Sequence, residues 1–224
     1  MDERVFATQF HAAAGAEAWR VLPDGATAFF RAETFASSIA FVDAIARVAP
    51  VGREPDIDIR ADGVTVLLRA FKPEGYGMTV VELELARAIS SAASELGLIA
   101  DPTAIQSLLM IPGAPDRATI MPFWQAVLGY VPRPDSPDED LVDPHARLAP
   151  LWFENMDELR PDGMGTVHFV VWVPWDQAQA RIAAGLAAGG RVVRENTEEL
   201  FWTLADPVGN EIDIATTPAP EPPA

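Results

Sequence analysis

Few side chains in this chain can move protons. Its only histidines are His11, His145 and His168, and it has no cysteine, which excludes disulfides, thiolate metal sites and cysteine nucleophiles. In the C-terminal half, His168, Glu211 and Asp213 are the residue types suited to acid–base work or to a cation. A neutral imidazole nitrogen and a carboxylate oxygen both suit a divalent metal, and strand residues two apart, as Glu211 and Asp213 are, share a face. A second stretch, GREPDIDI at 52–59, sets Arg53, Glu54 and Asp56 around Pro55. Arginine stays protonated at working pH and is a poor proton shuttle. Glu54 could serve as acid or base only if burial raised its pKa, and Arg53 beside it is expected to push the other way.

The elements that must position these groups are legible as an α+β pattern. Phe35, Ile39, Phe41, Val42, Ile45 and Val48 recur at helical spacing between Thr34 and Ala49, and Pro50 stops the helix. IDIR at 57–60 and VTVLLRAF at 64–71 read as a hairpin through Asp62-Gly63, and WRVLPDG with ATAFFRAE reads as another across Pro23-Asp24-Gly25. A Gly-rich elbow, EGYGMT, leads into a helix with Val81, Leu85, Ala88 and Ile89 on one apolar face. This first unit is expected to be helix on antiparallel sheet.

Asp101-Pro102 marks the junction. Beyond it runs a weak internal repeat, AIQSLLMIPG at 104–113 against TVHFVVWVPW at 166–175, which sets Gln106 against His168 and Pro112 against Pro174. Each copy continues into a helix, MPFWQAVLGY or DQAQARIAAGLAAGG, and then into three short strands. Paired βαβββ modules follow from that repetition. The expected organisation is therefore 1–100, 101–217 and a proline-rich mobile tail at 218–224.

Composition narrows the function classes. At 224 residues, 49% hydrophobic and 22% charged, the chain has enough material for two cores, and no apolar run approaches the roughly 20 residues that span a bilayer. Sixteen basic against 33 acidic residues give a net charge of −17, a field that repels phosphate backbones and anionic headgroups and disfavours nucleic-acid and membrane partners. The N-terminus, MDERVFATQF, lacks the basic flank and apolar core of a secretory signal, so a cytoplasmic location is expected.

The segment from 104 to 217 resembles the vicinal oxygen chelate superfamily of glyoxalases, bleomycin-resistance proteins and ring-cleaving dioxygenases. FWQAVLGY at 123–130, VHFVVWV at 167–173 and DPVGNEIDI at 206–214 carry that resemblance. It implies two curved-sheet modules enclosing a cleft for a small molecule or a metal, with ligands on the first and last strands of each module. His168 and Asp213 match ligand positions of the second module. Gln106 stands where the first module's ligand would be, and Glu154 in PLWFENM is the candidate for the fourth. One imidazole and one carboxylate would leave a metal mostly water-ligated, so a histidine bonded to Asp213 or to a backbone carbonyl is favoured over a resident divalent cation. Trp172 and Trp202 are expected to wall the cleft, and Trp124 to pack in the core.

Residues 15 to 97 resemble pterin-4a-carbinolamine dehydratase, through AWRVLPDGATAFFRAETF and GMTVVELELA, with Glu82 in the acidic place of the signature. That family's active corner carries a His-His-Pro triplet and a following acidic residue; Arg53-Glu54-Pro55-Asp56 keeps only the proline and the acid. The expectation is a degenerate site on a retained fold.

Three readings result. The leading one is a small-molecule-binding protein, lyase or other enzyme included, working in the C-terminal cleft with Gln106, His168, Trp172, Trp202, Glu211 and Asp213 as lining and His168 as first acid or base. The second keeps the first half catalytic on a pterin-like substrate through Glu54 and Asp56. The third is a non-enzymatic ligand sensor with an N-terminal assembly surface; pairing of the modules within one chain or across a homodimer stays open.

Overall fold

The computed structural model describes residues 3–72, 75–156, 167–205 and 211–220. The N-terminal half opens with β1 (Arg4–Val5), α1 (Ala7–Ala12), β2 (Arg20–Leu22) and β3 (Gly25–Arg31). It continues through α2 (Phe35–Val48), β4 (Asp56–Arg60), β5 (Gly63–Arg69), β6 (Phe71–Lys72), β7 (Gly75–Tyr76), β8 (Met78–Thr79), α3 (Val80–Glu95) and β9 (Ile99–Ala100). The main sheet runs β2-β3-β5-β4 with β9 on β3, all antiparallel.

The β2–β3 turn needs glycine. Gly25 sits at φ +142, and a Cβ there would lie 1.9 Å from the Leu68 carbonyl oxygen, far inside contact distance, so only glycine lets β3 close on β5. Behind the sheet, α2 is capped by Thr34, whose Oγ1 accepts from Ser37 N at 3.1 Å, and α3 by a reciprocal box between Thr79 and Glu82. Trp19, Phe30, Phe41 and Ile89 fill the space between helices and strands. The Trp19 indole donates to Ala86 O at 3.2 Å and to Ser90 Oγ at 3.0 Å, so its polar atom is satisfied where it is buried. The buried side of α2 is Ser38, Phe41 and Ile45. Phe35 and Ile39, expected with that face, are 60% and 46% exposed; helical spacing made them neighbours of the core residues, but the packed stripe is narrower than the apolar one.

The C-terminal half comprises two βαβββ units. The first is β10 (Ser107–Ala114), α4 (Met121–Leu128), β11 (Val131–Pro132), β12 (Asp140–Val142) and a last strand in two pieces, β13 (Leu151–Trp152) and β14 (Glu154–Asn155). The second is β15 (Val167–Trp172), α5 (Ala178–Ala187), β16 (Arg191–Asn196), β17 (Phe201–Ala205) and β18 (Glu211–Ala215). They join in one sheet ordered β11-β12-β13-β10-β15-β18-β17-β16, with β14 pairing β10. The seam is the antiparallel pair β10·β15, in register from Ser107↔Trp172 to Pro112↔Val167. The modules therefore pair within one chain.

Alternation along the strands gives the sheet a helix face and an open face. Met110, Leu141, Leu151 and Phe153 pack on the α4 side, and Val171, Trp202, Leu204 and Ile214 meet Ala178 and Ile182 of α5. Leu109, Ile111, Val170, Phe201 and Ala215 lie together on the opposite face. α4 ends at Gly129, whose φ of +68 turns the chain out of the helix without the penalty a side chain would carry there.

Several ties join the halves. Arg20 pairs with Asp176 at 2.5 Å, Ser107 donates to Asp24, and Thr217 Oγ1 donates to Val21 O at 2.7 Å. His11 Nε2 accepts from Val21 N at 2.9 Å, and its Nδ1 lies 3.2 Å from Pro218 O; the neutral ring protonated on Nδ1 satisfies both contacts. Pro218, the first residue of the proline-rich tail, thus offers its carbonyl to a donor from α1; residues 221–224 lie outside the described residues. Among the described residues no helix is long and apolar enough to cross a membrane.

Candidate functional site

The open face carries a cavity of about 490 Å³ at the β15–β18 end of the sheet. His168 projects into it from β15, Glu211 and Asp213 from β18, Thr203 from β17, and Glu154 from β14. The pleat is the reason: Thr203 and Asp213 are a direct cross-strand pair, and Val170, two residues from His168, is the register partner of Asp213 on the other side. Thr203 Oγ1 donates to Asp213 Oδ1 at 2.5 Å, and Asp213 Oδ2 stands 4.0 Å from His168 Nε2. The imidazole is 40% exposed and the carboxylate 14%, so the acid is the held partner and the base the accessible one.

A bulge completes the rim. The β16·β17 register slips between Val192 and Arg194, and the consecutive residues Val193 and Arg194 both line the cavity, as a bulge allows. The Arg194 guanidinium sits 4.7 Å from the centre of the Phe201 ring, a cation–π contact that fixes it at the edge. Arg194 and Thr203 extend the site beyond the residues singled out from the sequence, and Glu154, the candidate fourth ligand, lines the same cavity. Thr203 was legible as the position opposite Asp213 had the β17–β18 register been known.

Gln106 and Trp202 are not in this cavity. Gln106 precedes β10 and accepts from Arg181 of α5 at 3.1 Å, on the helix side. The repeat alignment is one residue out of phase with the pleat: Ser107, Leu109 and Ile111 share the open face with His168, Val170 and Trp172, and a one-residue slip sends every side chain to the other face. Trp202 is 7% exposed, packed with α5, and donates through Nε1 to Glu195 at 2.9 Å. Trp172 does lie on the open face but at the other end of β15, where it packs with Leu22 and Phe29 of the N-terminal sheet and with Ile105, where the two halves meet. Trp124 packs against the α4 cluster.

A divalent cation fits these residues poorly. Among the described residues no three His, Asp or Glu side chains gather as a metal site requires, and His168 with Asp213 alone would leave most of the coordination sphere to water.

The corner at 52–56 is taken up in structural pairings. Arg53 Nη1 meets Glu82 Oε1 at 3.1 Å, while the other Glu82 oxygen accepts from Thr79 N at 2.8 Å and Thr79 Oγ1 at 2.7 Å. Arg53 therefore ties the α2–β4 loop to the start of α3 rather than acting on Glu54. The Glu54 carboxylate is held below its usual range by backbone amides, its own and that of Gly52, which is the wrong direction for an acid at neutral pH. Asp56 pairs with Arg69 on β5.

With this geometry in view, the similarities to known proteins are limited but specific. Residues 109–215 match the profile of a family described as a glyoxalase-like domain, so the C-terminal part of the chain is glyoxalase-like, in line with the vicinal oxygen chelate resemblance. A search of curated proteins by sequence finds no match. Among solved structures the chain is similar to a NAD-dependent benzaldehyde dehydrogenase from Legionella pneumophila, at 14% identity over 50% of this chain and 99% of that one. Its TM-score of 0.38 is too low to bear on fold or function.

Proposed function

We propose that this is a small-molecule-binding protein whose ligand occupies the open-face cavity of the glyoxalase-like domain, with His168 as its proton-handling group. The observation that carries the reading is the convergence of His168, Asp213, Glu211 and Thr203 from neighbouring strands on one cavity. Its volume of about 490 Å³ falls within the range of roughly 300–1,000 Å³ that small-molecule sites occupy. Arg194 and His168 can donate to a ligand, the carboxylates can accept from it, and Val193, Ile212 and Met156 supply apolar wall. A small polar organic molecule with donors and acceptors suits that lining.

The chemistry within reach is proton transfer. His168 is exposed enough to touch a ligand, and Asp213, anchored by Thr203 and 4.0 Å from the ring, is close enough to stabilise its protonated form. The N-terminal half lacks comparable equipment, since Arg53 and Asp56 are held in ion pairs and Glu54 is an exposed carboxylate with a lowered pKa. In this reading it serves as a dehydratase-like scaffold.

A thermal-shift screen of polar metabolites against the wild type, His168→Ala and Asp213→Asn tests this. Ligands that stabilise the wild type should bind at least tenfold more weakly to His168→Ala. Hits that stabilise all three proteins equally would overturn the assignment.

A further inference from the structure

A second cavity, of about 260 Å³, opens where the β2–β3 turn meets the other end of the open face. None of its lining residues is shared with the His168 cavity. Two kinds of wall face each other in it. One is aromatic and apolar, with Trp152, Trp172 and Leu109; the other is charged, with Asp24, Asp140 and Arg133.

The charges do not balance. Arg133 is shared between Asp135, at 2.9 Å, and Asp140, at 3.2 Å, and Glu139, also in the wall, is taken by Arg117 at 2.5 Å. Asp24 receives a hydroxyl hydrogen bond from Ser107, while Arg69 and Arg133 act on it only through space. Burial pushes the carboxyl groups of both Asp24 and Asp140 upward, and of the two only Asp140 has a cation in contact among the described residues, Arg133 at 3.2 Å; the contact to Asp24 is the neutral Ser107 hydroxyl. A buried carboxylate beside indole rings at a domain seam is the environment that binds an organic cation, because the ammonium answers the carboxylate while the rings attract the charge and cover the hydrocarbon.

We propose that this seam cavity is a second binding site, for a small organic cation, a protonated amine on a planar or apolar body, with Asp24 as the anchoring carboxylate and Trp152 and Trp172 as the walls. Because Asp24 belongs to the N-terminal hairpin and the tryptophans to the C-terminal sheet, such a ligand would bridge the two halves. The site is built only when both are present.

Calorimetry on the full chain with benzylammonium, and with neutral benzyl alcohol and anionic benzoate as controls, tests the proposal. The expected result is saturable binding of benzylammonium alone, weakened at least tenfold in Asp24→Asn. No saturable heat, equal binding of benzyl alcohol, or an unchanged affinity in a folded Asp24→Asn protein would overturn it. Indole N–H resonances in the wild type give a readout that no variant's folding can compromise. Benzylammonium should shift those of Trp152 and Trp172, and shifts at His168 with both indoles unmoved would overturn the assignment.

Discussion

Thr203 holds Asp213 by one carboxylate oxygen, at 2.5 Å, and so leaves the other, 4.0 Å from His168 Nε2, as the oxygen that faces the imidazole. The two contacts come from different strands, β17 and β15, flanking β18. Sheet register, not local sequence, therefore sets the distance between acid and base.

Replacing Thr203 by Val should free Asp213 to rotate. Thr203 is 6% exposed, and losing a hydrogen bond to a charged acceptor at such a site is worth about 1.5–3 kcal/mol. Urea unfolding should show a loss in that range, and ligand affinity in the His168 cavity should fall severalfold. Full stability with full affinity would mean that Thr203 does not hold the acid.

Arg53→Met should lower stability by about 1–2 kcal/mol, below the usual cost of breaking a buried pair because the Arg53 side chain is 30% exposed and the Glu82 carboxylate keeps its Thr79 bonds. Ligand binding in the C-terminal cavity should not change. A loss of binding without a loss of stability would return a working role to the 52–56 corner.

Acid should loosen the clasp between α1 and the C-terminal segment. Burial pushes the His11 pKa down from 6.5 to about 4, so the unfolded chain binds the proton more tightly than the folded one. Stability from this group is complete above about pH 6.5 and is lost as the pH falls towards about 4. Urea midpoints for the wild type and His11→Asn across that window should converge at the acid end. Parallel curves would rule out a contribution from His11.

Asp24→Asn should be neutral or stabilising at pH 7. Burial raises the folded pKa of Asp24, so ionising it costs the folded state more than the unfolded one, and the penalty is complete above the raised pKa. Stability from this group improves as the pH falls through that pKa, and the variant's advantage should vanish below the ordinary value of 3.8. Melting temperatures at pH 7 and near pH 3.5 check the sign. A strong loss at pH 7 would mean that the charge serves structure instead.

Gly25→Ala should cost more than about 3 kcal/mol, the range reserved for a few severe mechanisms such as backbone strain. The new Cβ would fall 1.9 Å from Leu68 O at a φ of +142. Thermal melting of the full chain measures it, and a near-wild-type value would show that β3 and β5 can separate locally.

Much of the fold was legible because its signals are local. The apolar helical spacing that Pro50 ends, the hairpin turns at Asp24-Gly25 and Asp62-Gly63 and the repeated strand and helix patterns could be read along the chain, and the elements form where those signals place them. Side-chain direction was less secure. Phe35 and Ile39 are apolar yet outward, Trp202 packs under α5, and Gln106 turns to Arg181, because face assignment depends on a pleat phase and a packing partner that residue type does not encode.

Sequence alone determined that the chain has no thiol chemistry, that His168 is the histidine of the glyoxalase-like β15, and that no imidazole stands at the 52–56 corner. Those are statements about which groups exist. Tertiary structure decided which groups meet: Thr203 with Asp213 across a register, Val193 with Arg194 through a bulge, and Asp24 with Ser107 across 83 positions of chain. Contacts of that kind depend on how strands align and how the halves close on each other, and short-range sequence pattern carries no information about either.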